Sequence, residues 1–230
     1  MKPERKMTLL STANTKTMKG EKYGYKTYIM HLAPSLISGF QTCPKASAGC
    51  AAACLNKAGM GVFSNVQTAR INRTKMFFQD RVTFMNQLVK EIKSAKKKAD
   101  KEGLKLLVRP NGTSDIAWEK IRVGDYRNIF EMFSDVQFYD YTKIAGRTVP
   151  DNYHLTFSKS ESNDRDVSAA IRNGLNVAVV FDKLPATYLG LPVVSGDDTD
   201  IRVNDPRGVV VGLKAKGPAK RDLSGFVVFA

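Results

Sequence analysis

Two short runs late in the chain, Asn176 to Phe181 (NVAVVF) and Gly208 to Leu213 (GVVVGL), are apolar at almost every position. A strand with one wet face alternates apolar and polar residues, so near-continuous runs of this length belong to strands covered on both faces, as in a parallel sheet. Earlier segments repeat the theme. Tyr25 to Leu32, Leu104 to Val108, Val136 to Tyr141 and Tyr153 to Phe157 read as strands, with Phe226 to Phe229 a further candidate. Helical patterns separate them. From Ser64 onward Phe78, Val82, Met85, Val89, Ile92 and Ala99 recur at helical spacing up to Gly103, which predicts one long helix or two in succession. Asp125 to Phe133 also reads as helical, and Asn163 or Asp164 can cap a helix that stops at Gly174.

This alternation predicts an α/β fold, a partial (β/α)6 TIM-like barrel with a cysteine-bearing loop after its first strand. Residues 1–230 read as one domain, with a basic arm at 1–24 and an acidic, proline-bearing insertion at 184–206. Within that insertion Asp197, Asp198, Asp200 and Asp205 read as a solvated loop. A composition of 43% hydrophobic and 25% charged residues excludes disorder and collagen-like repeats. No apolar stretch approaches the roughly 18 residues of a membrane span, and the basic start Met1 to Lys6 is followed by few apolar residues. We expect neither a signal peptide nor a membrane partner.

The net charge of +14 sits mostly in three runs, residues 1–26, 90–105 and 207–222, which carry +5, +4 and +4. Such a field attracts polyanions, so nucleic acid or a nucleotide is an expected partner. Lys96, Lys97 and Lys98 have a plainer role as well, since lysines at a helix end complement its dipole.

All three cysteines, Cys43, Cys50 and Cys54, fall within twelve residues, TCPKASAGCAAAC reading from Thr42. An odd count argues against a disulfide framework, and a soft metal is the better explanation. Cys50 and Cys54 stand one helical turn apart, and the small residues Ala46 to Gly49 let Cys43 fold alongside. Structural zinc normally takes four ligands and would have to recruit His31, His154 or a carboxylate. A 4Fe-4S cluster tolerates three cysteines, because its remaining iron can hold a small ligand. Unligated buried thiols are the third reading. Arg70, near the start of the long helix, could offset thiolate charge.

In a parallel sheet chemistry gathers at the ends of strands. The strand-end candidates for substrate contact and catalysis are Arg109, Asn111, Ser158 and Glu161, with Asp182 and Lys183 as further ones. Asp115, Asp140, Glu161 and Asp182 could instead hold magnesium for phosphoryl transfer.

The segments STANTKTMKGE (Ser11 to Glu21), HLAPSLISGFQTCPKASAGCAAACLNKAGMG (His31 to Gly61), RPNGTSDIAW (Arg109 to Trp118), HLTFSKSESN (His154 to Asn163) and GDDTDIRVNDPRGVVVGLKAKG (Gly196 to Gly217) resemble the phage gene product eighty-eight family. That resemblance implies a virus-encoded protein of the bacterial cytoplasm. More loosely, the layout is similar to radical S-adenosylmethionine (SAM) enzymes, which carry three cysteines directly after the first strand of a partial barrel. Their CxxxCxxC spacing is replaced here by x6 and x3, and no Gly-Gly dipeptide follows the second strand. This likeness implies an iron-sulfur cluster, SAM as a cofactor, and radical chemistry on a nucleotide, nucleic acid or amino-acid-derived substrate. The competing reading is a metal-pinned basic protein that binds nucleic acid or a host partner without catalysis.

Overall fold

A computed structural model describes residues 7–12 and 20–230. Most of the basic arm therefore lies outside the described residues. Ten strands form one sheet: β1 (Leu10–Ser11), β2 (Tyr25–Met30), β3 (Lys105–Arg109), β4 (Gln137–Thr142), β5 (Tyr153–Ser158), β6 (Val177–Phe181), β7 (Thr187–Tyr188), β8 (Leu191–Ser195), β9 (Val210–Lys214) and β10 (Val227–Val228). Their order is β1-β2-β3-β4-β5-β6-β9-β8-β7, and β2 through β8 along this path are parallel. The short edge strands β1 and β7 run antiparallel to their neighbours. The sheet is open: among the described residues β1 and β7 do not pair with each other.

β6 and β9 are the two apolar runs, and they pair along their whole length from Val177 opposite Val210 to Phe181 opposite Lys214. The other edge of β6 is shared. Val177 and Ala178 pair with β5, whereas Val180 and Phe181 pair with β10. β5 thus ends opposite the start of β6, and the last strand of the chain takes the edge of β6 beyond it.

The helices α1 (Ala48–Ala52), α2 (Ser64–Gln79), α3 (Arg81–Lys101), α4 (Ile129–Met132) and α5 (Asp164–Arg172) complete the fold. α3 buries Phe84, Met85, Leu88, Ile92, Ala95 and Ala99 in a core with Met30, Leu106, Val108 and Phe138 from the strands. α5 buries Val167 and Ala170 against Phe157, Val177, Val179 and Val210. Asp80 divides α2 from α3: it leaves helical geometry and its carboxylate accepts the Thr83 N–H at 3.1 Å as an N-cap. That break resets the helical phase, so Val82, which the spacing assigned to the apolar face, is 72% exposed while Phe84 is buried.

Three further expectations change. The Asp125 to Phe133 helix shrinks to α4, because Gly124 takes a positive φ and Asn128 caps the turn through the Glu131 N–H. β4 runs to β5 through a loop without a helix, so the pattern of six regular β/α units is not kept. Residues 184–206 are not merely a solvated loop. Thr187 pairs with Pro192 across a two-residue turn, Leu189-Gly190, in which both residues have positive φ, the geometry of a tight hairpin. β8 then joins β9, and Asp200, Ile201 and Arg202 are buried. No helix among the described residues is long and apolar enough to cross a membrane.

Gly112, just past β3, sits where a Cβ would meet Ile29 Cγ2, Met30 O and His31 Cδ2, each at 2.7 Å. One of these atoms is backbone and cannot swing away. Gly112→Ala should therefore destabilise by about 1–3 kcal/mol and lower the melting temperature by roughly 2–4 °C per kcal/mol. Thermal unfolding followed by circular dichroism checks this.

Candidate functional site

The C-terminal ends of the parallel strands open onto one cavity of about 650 Å³, within the usual size of a small-molecule site, roughly 300–1,000 Å³. Cys43, Cys50 and Cys54 all line it, and so do Arg109, Asn111 and Ser158 from the strand ends.

The loop after β2 is held by short polar contacts. Thr42 donates its hydroxyl to Ala33 O at 2.7 Å, and Thr74 of α2 accepts the Ala33 N–H at 2.8 Å. Asp115 N–H donates to Thr42 O at 2.8 Å, joining this loop to the one after β3. Ser35 adopts φ +50°, a conformation unusual outside glycine, and its N–H points at Cys43 Sγ from 3.4 Å. Cys50 lies on α1, whose N-cap Ser47 accepts the Cys50 N–H at 3.2 Å. Burial pushes the Cys43 thiol pKa up, opposed by the Ser35 N–H and the Thr42 hydroxyl. Burial also raises that of Cys54, opposed by the Asn56 N–H and by the charges of Lys57 and Arg70. Both are thiols at neutral pH, and a metal would have to displace their protons.

As the side chains stand, no three His, Cys, Asp or Glu groups among the described residues are gathered closely enough to hold a single metal ion. Neither His31 nor His154 is among the cavity-lining residues, so a fourth ligand from histidine is not at hand either. His31 is surrounded by Arg70, Arg109 and Arg73, and burial with these charges pushes its pKa down to about 3. His154 is depressed by burial and by Arg202 and Arg207. Arg70 is buried behind Asn56, which accepts its Nη1 and itself lines the cavity. Its Nε has no partner, and among the described residues it forms no ion pair. A buried guanidinium left this way calls for an anion. A deprotonated Cys54 would favour the charge of Arg70.

Several sequence candidates have other duties. Asn111 uses its whole amide internally: Oδ1 accepts from Ser114, Ile116 and Trp118, and Nδ2 donates to Ile116 O and Asp140. Arg109 pairs with Asp200 at 3.2 Å and lies over the Tyr141 ring at 4.7 Å. Burial is the largest single influence and opposes its charge, but Asp200, Tyr139, Tyr141 and Asp140 together outweigh it and hold the pKa above the ordinary value. Glu161 is not among the cavity-lining residues. Its carboxylate accepts the Ser47 hydroxyl and the Gly49 N–H, both at 2.7 Å, so it clamps the helix that carries Cys50. Gly49 is needed there, since a Cβ would come within 2.2 Å of Ser224 Oγ. Asp182 and Lys183 are exposed and off the cavity, and Asp182 accepts the Ala230 N–H at 3.0 Å. Asp115, Asp140, Glu161 and Asp182 are engaged with separate partners, so they do not form a magnesium cluster.

The sequence reading missed Asp200 as the partner of Arg109 and Thr42 as the latch of the loop. The basic runs separate as well. Lys105 begins β3 and Arg109 at its other end lines the cavity, so Lys105 lies at the far end of the strands, as does Lys96, which pairs with Asp135 just before β4, whereas Lys214 and Lys216 line the cavity.

Glu161→Ala removes both contacts at the start of α1 and should cost about 1–3 kcal/mol. Hydrogen exchange should speed up at residues 47–53 before other helices respond, whereas uniform exchange would assign Glu161 no such clamp. His31 gives a pH signature. Its folded pKa lies below the unfolded value of about 6.5, so its contribution to stability is complete above that pH and is lost as pH falls toward 3. The melting temperature of His31→Gln should fall less than wild type between about pH 7 and about pH 4.

No curated protein and no solved structure matches the chain. The motif segments around the cysteine loop and the strand ends do have a counterpart: the chain matches the Gene product 88 family over residues 8–230 and belongs to that family.

Proposed function

We propose that the chain is an iron-sulfur protein, a radical-SAM-like enzyme built on an open, partial-barrel α/β sheet. One observation carries this reading: three thiols from the loop after the first parallel strand line the same cavity as the ends of that strand's neighbours. A cluster of several irons is wider than a single ion, so its ligands need not crowd as a zinc site requires. Arg70 supplies the positive charge that cluster-bound thiolates would need.

Cys43, Cys50 and Cys54 would hold the cluster, which when bound supplies single electrons. The remaining space takes a small molecule, with SAM as the proposed co-ligand. The protein's own groups do the positioning. Arg109, fixed by Asp200, and Ser158 face the ligand, while Glu161 and Thr42 hold the cysteine-bearing segments in place. The alternative is a basic nucleic-acid-binding surface; the 207–222 run itself spans the strands, with Arg207 before β9 at the same end as Lys105 and Lys214 and Lys216 at the cavity end.

Purification without oxygen, followed by visible absorbance and iron and sulfide assays, tests the reading. Wild type should be brown with comparable iron and sulfide, and Cys43→Ala, Cys50→Ala and Cys54→Ala should each lose most of the iron. Reconstitution should strengthen with rising pH, because Cys43 and Cys54 must give up protons. A colourless, iron-free protein that retains none after reconstitution would refute the proposal.

A further inference from the structure

The charges around the cavity do not balance. Its carboxylates are all engaged: Asp115 accepts from the Thr142 hydroxyl and Lys143 N–H at 2.8 Å, Asp200 from Arg109 and Tyr139, and Asp197 from Lys214 N–H and Lys216. Of the cations, Arg109 is paired with Asp200, Lys216 with Asp197 and Lys159 with Asp164. Lys57, Lys143 and Lys214 also line the cavity, and their ammonium groups form no ion pair among the described residues. They come from three separate places: the turn after Cys54, the end of β4 and the end of β9. Lys143 is half-buried, its backbone fixed by Asp115 and its Nζ 5.8 Å from the Phe226 ring centre. The cavity wall also carries the apolar side chains of Ala178, Val180 and Leu213.

A carboxylate would match one lysine. A terminal phosphate carries about −1.5 to −2 at neutral pH and has three acceptor oxygens, which suits several lysines acting as point charges. We propose that the molecule bound here bears a terminal phosphate monoester, as a nucleotide does, with the phosphate among Lys57, Lys143 and Lys214 and its organic part against Ala178, Val180 and Leu213. The inference rests on reading this cavity as the substrate chamber.

Calorimetric titration of the anaerobically purified protein tests it. The probes are the four ribonucleoside monophosphates, the matching nucleosides, and a short single-stranded oligonucleotide with and without a 5′-phosphate. At least one phosphorylated probe should bind about tenfold or more tightly than its unphosphorylated partner. The Lys143→Ala/Lys214→Ala variant should lose that advantage, whereas Lys96→Ala, at the far end of the strands, should keep it. Preference for the mononucleotide identifies a free nucleotide as the source, and preference for the phosphorylated oligonucleotide identifies a nucleic-acid end. Equal binding with and without phosphate, no binding of any probe, or equal loss in Lys96→Ala overturns the proposal. Iron is assayed on the same preparation, so an iron-free protein that discriminates phosphate would sink the cluster reading alone.

Discussion

Burying a guanidinium is costly unless an anion meets it, and Arg109 meets Asp200. The pair joins the end of β3 to a segment 91 residues later, and Tyr139 adds a 2.8 Å hydrogen bond to the same carboxylate. Leu107, Tyr139 and Ile201 pack together beside it. The 196–206 segment is thereby drawn over the sheet, where Asp197 and Asp200 contribute to the cavity wall. Removing Asp200 would leave Arg109 only its longer 3.7 Å contact to Asp140, and removing Arg109 would leave Asp200 buried without its cation, each a larger penalty than losing a surface contact.

Above that floor, the walls follow from parallel strand geometry. Every parallel strand delivers its C-terminal end to one side, so loops far apart in the chain become neighbours. The cysteine loop reaches the rim after β2, and Glu161, following β5, secures α1 within it. The latch formed by Thr42 and the clamp formed by Glu161 restrain the first and second cysteines through different parts of the fold. Their thiols and the unpaired Arg70 line or adjoin this cavity, where a positive charge would favour thiolates if the proposed cluster were bound.

Much of this was legible in the residues. β6 and β9 announced themselves because strands covered on both faces carry the pattern in their own side chains. The convergence of Cys43, Cys50 and Cys54 on one cavity was legible for a similar reason, since their separation is short and the loop follows a strand. What stayed hidden depended on distant partners. Asp200 looks like one of several solvated acids until Arg109 is placed beside it. Glu161 looks like a strand-end acid facing substrate, although the N–H of Gly49 and the hydroxyl of Ser47 claim it. The β7-β8 hairpin was missed because Leu-Gly is an uncommon sequence for a turn with two positive φ angles. Family membership followed from the motif segments, while the chemistry rests on the cavity.

If three sulfurs from one loop hold an iron cluster at the rim of this cavity, X-ray absorption at the iron edge of the anaerobically purified protein will show it. The expected spectrum has a first shell of sulfur with iron-iron scattering beyond it, and replacing any of the three cysteines removes that signal. A first shell of nitrogen and oxygen, or an edge belonging to zinc alone, would contradict it.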